Sequence, residues 1–363
     1  MALDALSLRC SACGETYETA WQWRCDCGAP LDFLADARPS RDAPDPRSFD
    51  ARRGLWSFAD FLPVGPRVTL GEGTTPLVDA PEWDASFKLE YVFPTGSFKD
   101  RGATTTLSVA AELGVDTVVE DSSGNAGAAI ATYAARAGID AEIYVPASVK
   151  ASKLRAIERA GATPVRVEGS REDVTDACVD AVERGDGWYA SHAWNPAFFA
   201  GTATFAYEVA YQRGWSAPDA VVTPLGHGTL FLGAYRGFRA LRDAGWIDEM
   251  PTLLGAQAAG YAPVAEELHG PTDGRNRVAD GIQIRDPARL GQILAAVDAT
   301  GGDAVAVSEE AVEAELDRLH RRGFYTEPTC AVAPAALREY RDRGVVSPDD
   351  DVVVPLTGSG LKG

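Results

Sequence analysis

Lys99 is the residue in this chain most suited to covalent chemistry. It stands in Pro94-Thr95-Gly96-Ser97-Phe98-Lys99-Asp100-Arg101-Gly102, between a strand-like run, Phe87-Lys88-Leu89-Glu90-Tyr91, and an alanine- and threonine-rich helix. The chain has only five lysines: Lys88, Lys99, Lys150, Lys153 and Lys362. A lysine kept at a strand-to-helix turn in so lysine-poor a chain points to chemistry that arginine cannot do. A desolvated lysine loses its proton and attacks a carbonyl to form an imine. The helix start beside it disfavours the cation and lowers its pKa further. The plain alternative is a surface lysine near a helix cap.

Four cysteines form a second chemical group. Cys10-Ser11-Ala12-Cys13 and Cys25-Asp26-Cys27 have C-x2-C and C-x-C spacing, and Gly14 and Gly28 follow them. Four thiolates gathered by two tight turns suit a tetrahedral zinc ion, bonded at about 2.3 Å. Such a site is structural, since four cysteines leave no position open for water. Disulfides are the alternative, which a reducing cytoplasm disfavours.

Backbone amides make two further candidates. Gly226-His227-Gly228-Thr229-Leu230, after Pro224-Leu225, presents successive N–H groups just before a helix. That is an anion nest suited to a phosphate, with a plain turn as the alternative. Thr229 adds a hydroxyl, and His227 is read as a positional loop residue. Ser122-Ser123-Gly124-Asn125-Ala126-Gly127 also opens a helix, and its N–H groups can hold a carboxylate.

These groups need rigid elements beneath them. Thr117-Val118-Val119-Glu120, residues 141–145 and residues 164–167 read as strands. Helices are expected after residue 122, over 152–161, and after Ser170, which with Asp173 forms a capping box. Val174, Cys178 and Val182 share one face of that last helix, so Cys178 is expected in the core. The second half repeats the rhythm with strands at 221–223, 253–256, 304–307 and 352–354. Ser308 caps a helix with Val312, Leu316 and Leu319 inward and Glu309 and Glu310 in its first turn. Alternating strands and helices imply parallel sheets covered by helices, an α/β fold. Residues 36–53 carry Pro39, Pro44 and Pro46 among Asp and Arg and read as an irregular connector.

Five stretches together resemble the threonine synthases, pyridoxal phosphate (PLP) enzymes of the fold type that includes tryptophan synthase β subunits and serine/threonine dehydratases. In the family's order they are Gly71-Glu72-Gly73-Thr74-Thr75-Pro76-Leu77, the Lys99 stretch, the Ser122 stretch, the Gly226 turn and Leu356-Thr357-Gly358-Ser359-Gly360-Leu361-Lys362. The resemblance implies that Lys99 holds PLP as an imine and shuttles protons. It implies Phe98 against the pyridine ring, Asn125 near the phenolic oxygen and the Thr357 hydroxyl facing the ring nitrogen. Gly226, His227, Gly228, Thr229 and Leu230 would bind the cofactor phosphate. Ser97, Ser122, Ser123, Gly124, Ala126 and Asn195 would meet the substrate. The implied reaction converts O-phosphohomoserine and water to threonine and phosphate. A related β-elimination or replacement enzyme acting on serine, threonine or O-phosphoserine is the alternative.

The implied fold is tryptophan synthase β-like, with two doubly wound domains of parallel-type sheets around a PLP cleft. Its expected division is a zinc ribbon over residues 1–35, as some threonine synthase-like proteins carry, and a linker over 36–53. A large PLP-binding domain follows from 54–99 and 201–363, with a small α/β domain over 100–200. A homodimer is expected. The chain departs from the family in Ser191-His192-Ala193-Trp194-Asn195-Pro196-Ala197-Phe198. Many threonine synthases place a phosphate-binding arginine near the position of Phe198. Arg101, Arg155, Lys150 or Lys153 could take over that role.

Composition narrows the class. The 363 residues suffice for two domains and a small appendage. Net charge is −19, from 53 acidic and 34 basic residues, which disfavours nonspecific nucleic-acid binding. Five lysines among the 34 basic residues leave 29 arginines. Acid excess with scarce lysine suggests a salty cytoplasm, where screening over about 3 Å at 1 M salt suppresses self-repulsion. No apolar run approaches the roughly 20 residues of a membrane span. Met1-Ala2-Leu3-Asp4 shows no secretion signal, so a cytoplasmic enzyme is expected. A noncatalytic zinc-ribbon binding protein is the reading from another class. Lys99, Asn125, Thr357 and the negative charge argue against it.

Overall fold

The computed structural model describes residues 6–35, 38–39 and 42–362. The reading of residues 1–4 lies outside them, as do 36, 37, 40 and 41 of the expected linker.

The chain forms two compact units. The first gathers the described residues up to Arg38 with Arg52–Gly73 and Lys99–Thr202. The second gathers those of Pro39–Ala51 with Thr74–Phe98 and those from Ala203 onward.

The first unit begins with three short strands, β1 (Leu8–Cys10), β2 (Thr16–Tyr17) and β3 (Leu31–Phe33). They pair antiparallel in the order β2-β1-β3. The second unit then receives β4 (Leu77–Ala80) and β5 (Ala85–Lys88). The chain returns to the first unit for α1 (Lys99–Leu113), β6 (Thr117–Glu120), α2 (Asn125–Ala137), β7 (Asp140–Pro146), α3 (Ala151–Arg159), β8 (Thr163–Val167), α4 (Arg171–Arg184) and β9 (Trp188–Tyr189). Helix α5 (Pro196–Gln212) starts in the first unit and ends in the second. There follow β10 (Ala220–Pro224), α6 (Thr229–Asp243), β11 (Thr252–Ala258), α7 (Pro263–His269), α8 (Leu290–Ala299), β12 (Asp303–Val307), α9 (Glu309–Arg321), α10 (Pro328–Asp342) and β13 (Val352–Pro355).

The first unit's main sheet has the order β8-β7-β6-β9, all parallel. The second unit's sheet runs β12-β11-β10-β13-β5-β4 and is parallel except for β4, antiparallel to β5 at the edge. Its central strands are continuous apolar runs because helices cover both faces. Val221, Val222, Leu253, Leu254, Val353 and Val354 are each fully buried.

The expected caps are present. The Ser170 side chain accepts from the Asp173 N–H, and the Asp173 carboxylate accepts from the Ser170 N–H at 2.6 Å. Cys178 is fully buried in a cluster with Val119, Tyr144, Val174 and Tyr189. Ser308 accepts from the Ala311 N–H at 3.3 Å. One element differs from expectation. The strand expected over residues 87–91 stops at Lys88, and Glu90–Val92 forms a 3-10 turn. Lys88 is in register with Pro355, where β13 ends, so the ladder has no strand to continue against.

Candidate active site

Lys99 is the first residue of α1, in the first unit. α1 is buried along most of its length and meets α5 at two glycines. A Cβ on Gly102 would stand 2.1 Å from Phe198 Cδ1, and one on Gly201 would stand 2.0 Å from the Arg101 carbonyl oxygen. Phe198 is therefore a fully buried wedge on α1, part of the hydrophobic core. That packing explains a phenylalanine where relatives are expected to carry an arginine. Among the proposed substitutes, Arg101 is fully buried in α1, while Lys150 and Arg155 are exposed at α3.

Asn125 is the first residue of α2, so the N–H groups of residues 125–127 head a helix. The preceding turn is tight: the Gly124 N–H donates to Ser122 Oγ at 3.2 Å. A Cβ on Gly127 would stand 1.8 Å from the Ser122 carbonyl oxygen. Ser122 lies just beyond the carboxyl end of β6, where ligands of parallel sheets bind. Asn195 uses its side chain on the backbone, with Nδ2 donating to the Tyr189 carbonyl and Oδ1 accepting from the Ala197 N–H, both at 3.0 Å.

A buried pair escaped the sequence reading. Glu120, the last residue of β6, lies 2.7 Å from His192 Nδ1 and also accepts from the His192 N–H at 3.2 Å. Burial pushes the Glu120 carboxyl well above its usual range and the Asp121 charge adds to this, while the His192 N–H and the Lys99 cation oppose it.

The second unit holds the remaining candidates. Ser97 forms a bridge to Gly358, and the Phe98 N–H donates to the Thr357 carbonyl at 3.0 Å. Ser97 Oγ is buried and has no hydrogen-bond partner among the described residues. Cys330 braces the Thr357 turn. Its sulfur lies 3.3 Å from Thr357 Oγ1 and 3.1 Å from the Gly358 carbonyl, and accepts from the Gly358 N–H at 2.9 Å. Burial pushes the Cys330 thiol up to about 12, so it is a brace and no nucleophile. The turn at Gly226 follows β10, and α6 starts at Thr229. Gly228 is left-handed at φ 78°, and a Cβ there would stand 2.5 Å from Ile293 Cδ1. Only glycine brings that backbone close to the helix start.

The stretch from Gly71 to Thr75 is held by buried carboxylates that the sequence reading also missed. In the first unit Glu72 accepts from Trp56 Nε1 at 2.8 Å, Thr104 Oγ1 at 2.8 Å and the Leu70 N–H at 2.7 Å. In the second, Glu208 accepts from the N–H groups of Thr74 at 2.8 Å and Thr75 at 3.1 Å, and from Lys88 Nζ at 2.9 Å. The available signal was a charge inside an apolar run: Lys88 after Phe87, and Glu208 within Phe205-Ala206-Tyr207-Glu208-Val209.

The sulfurs of Cys10, Cys13, Cys25 and Cys27 all lie within 4.8 Å of one another. Cys10 and Cys27 are 3.6 Å apart, Cys13 and Cys25 3.4 Å. A tetrahedral zinc–sulfur shell needs separations of about 3.8 Å, so the cluster fits one ion. The Tyr17 hydroxyl donates to Cys25 Sγ at 3.4 Å. The four thiols are free cysteines, not disulfides.

The sequence profile of the pyridoxal-phosphate dependent enzymes matches residues 68–358, from the Glu72 turn through Thr357. The chain belongs to that family. Among curated relatives, the threonine synthase of Methanocaldococcus jannaschii is 32% identical over 98% of this chain and 92% of its own length. The threonine synthase of Mycobacterium tuberculosis (strain H37Rv) is 32% identical, covering 84% of this chain and 87% of its own. Among solved structures, maize serine racemase superposes with a TM-score of 0.68 at 21% identity, covering 79% of this chain and 88% of that one. A serine ammonia-lyase from Rhizomucor miehei gives 0.66 at 24% identity, covering 78% and 93%. At such identities these two speak for the shared fold alone. Family membership makes the protein a PLP-dependent lyase. In the first unit Lys99 offers a primary amine at the head of α1, and in the second the glycine turn at residues 226–228 offers backbone N–H groups suited to a phosphate.

Proposed function

We propose that this protein is a threonine synthase, which converts O-phosphohomoserine and water to threonine and phosphate. The observation that carries the reading is the near full-length match, 32% identical over 98% of the chain, to an enzyme of that name. PLP, when bound, supplies an electron sink for the charge that develops at the substrate's α carbon. Lys99 would hold it through Nζ, the N–H groups of residues 226–230 its phosphate, and Phe98, Asn125 and Thr357 its ring. The Thr357 hydroxyl carries no charge, so it would not stabilise a fully protonated ring nitrogen. The Lys99 amine, once released, moves protons at the substrate carbons. The N–H groups of residues 125–127 bind the α-carboxylate and Ser97 adds a substrate contact, while Asn195, its side chain taken by the Tyr189 carbonyl and the Ala197 N–H, shapes the segment beside them.

Phe198 favours a second reading. Its core position leaves the substrate phosphate without the arginine expected there, as suits a dehydratase of serine or threonine. A panel of O-phosphohomoserine, O-phosphoserine, serine and threonine, assayed for phosphate, ammonia and threonine, separates the two. Threonine and phosphate from O-phosphohomoserine are expected. Ammonia from serine with no reaction of O-phosphohomoserine would overturn the first reading.

The finer claims belong to the same proposal. Cys10, Cys13, Cys25 and Cys27 hold one structural zinc in a ribbon over residues 1–35. The ribbon, Arg52–Gly73 and Lys99–Thr202 then serve as the small domain, and Thr74–Phe98 with the residues from Ala203 onward as the large one, in place of the bounds 54–99 with 201–363 and 100–200 expected from the resemblance. The enzyme works as a homodimer in a salty cytoplasm, on a small amino-acid substrate. Among the described residues, no helix is long and apolar enough to cross a membrane.

A further inference from the structure

The cysteine cluster is built into the first unit through the residues between its two cysteine pairs. Trp188 Nε1 donates to the Ala20 carbonyl at 2.9 Å. Arg24 pairs with Glu183 at 2.5 Å and its guanidinium lies 4.5 Å from the Trp23 ring centre. Trp23, two residues before Cys25, stands edge-on to two rings at once. Its centroid is 5.2 Å from that of Tyr189 and 5.1 Å from that of Trp194, with interplanar angles of 85° and 78°.

Those two rings bracket the segment that carries Ser191 and His192, and Asn195 follows directly. Tyr189 gives its carbonyl to Asn195 Nδ2 and its hydroxyl to Asp121 Oδ1 at 3.1 Å. Asp121 also accepts from Thr175 Oγ1 at 2.7 Å, and Glu120 beside it holds His192. Asp121 directly precedes the Ser122 turn. A short chain of contacts thus runs from Trp23 to the Asn195 segment and to the Ser122 turn, the carboxylate-binding stretch of the function proposed above. Four sulfurs within 4.8 Å of one another fit a single tetrahedral cation, whose bonds would fix Cys25 and the residues that lead into it, Trp23 among them.

We infer that Trp23 is a positioning residue through which the metal-loaded ribbon fixes the segment from Tyr189 to Asn195 for substrate binding. The substrate part rests on the function proposed above; the mechanical part does not. Aromatic edge contacts are short-ranged, so loss of the ring or of the metal frees the segment while leaving α2 and the second unit's sheet in place.

Hydrogen exchange and steady-state kinetics on the zinc-loaded enzyme, the same enzyme after chelation, Trp23→Ala and Trp23→Phe test this. Exchange of peptides over residues 188–198 should quicken by roughly tenfold after chelation and in Trp23→Ala, with residues 220–224 and 352–355 unchanged. KM for O-phosphohomoserine should rise about tenfold with kcat within about twofold, and Trp23→Phe should restore both. Unchanged exchange over 188–198 in the chelated enzyme and in Trp23→Ala would overturn the inference. So would faster exchange everywhere, the mark of a merely structural role. If the loaded wild type makes no threonine, the proposed function falls and the exchange result alone decides. If Trp23→Ala does not fold, Trp23→Leu and the chelated wild type give the same reading.

Discussion

Two lysines show how surroundings divide one residue type. Lys88 is fully buried, and its amine meets three acceptors: the Thr75 carbonyl at 2.6 Å, Glu208 Oε2 at 2.9 Å and Gln212 Oε1 at 2.9 Å. Every donor of that ammonium is used, and breaking such a buried pair costs about 3–5 kcal/mol. It is a structural tie. Lys99, partly exposed at the first position of α1, sits where the helix dipole disfavours a cation. Borohydride treatment of the yellow holoenzyme should bleach it and leave the reduced adduct on a peptide containing Lys99. Lys99→Ala should lose turnover by several orders of magnitude, since nucleophile and proton carrier vanish together. An adduct on Lys88, Lys150 or Lys153, or full activity in Lys99→Ala, would refute the assignment.

Among the elements, the three-stranded antiparallel sheet at the N-terminus is too small to hold itself by apolar burial. Leu8, Cys10 and Leu31 are its fully buried residues, and its turns at Gly14 and Gly28 use left-handed glycines at φ 82° and 85°. The sheet shares its core with the first unit, and a metal on the four free thiols would add to that hold. Elemental analysis should find about one zinc per chain, and Cys10→Ser with Cys13→Ser should remove it while Lys99 chemistry survives. Zinc content unaffected by the double substitution would contradict the ligand set.

Charge acts at the scale of the whole molecule. With 53 acidic against 34 basic residues, like-charge repulsion opposes compactness at low ionic strength. Ion pairs such as Arg321 with Asp317 are largely exposed and contribute about 0–1 kcal/mol each, too little to cancel it. Screening relieves the repulsion as salt rises, so the melting midpoint should climb between low and molar potassium chloride. A flat or falling midpoint would remove the case for a salty cytoplasm.

The sequence by itself determined the alternation of strands and helices, the Ser170 and Ser308 caps, the core position of Cys178 and the grouping of four cysteines. Local spacing, periodicity and cap chemistry carry all of these. It also placed Lys99 and Asn125 at helix starts, because turn residues mark those starts. The tertiary structure alone decided what lies far apart in sequence. Glu208 clamps Thr74 and Thr75 across 134 and 133 positions, His192 meets Glu120 across 72, and Trp188 reaches Ala20 across 168. Phe198 was legible only as a departure from a family pattern. Its meaning came from Gly102, whose missing side chain makes room for the ring. Such pairings depend on which surfaces close packing brings together, and no local spacing encodes that.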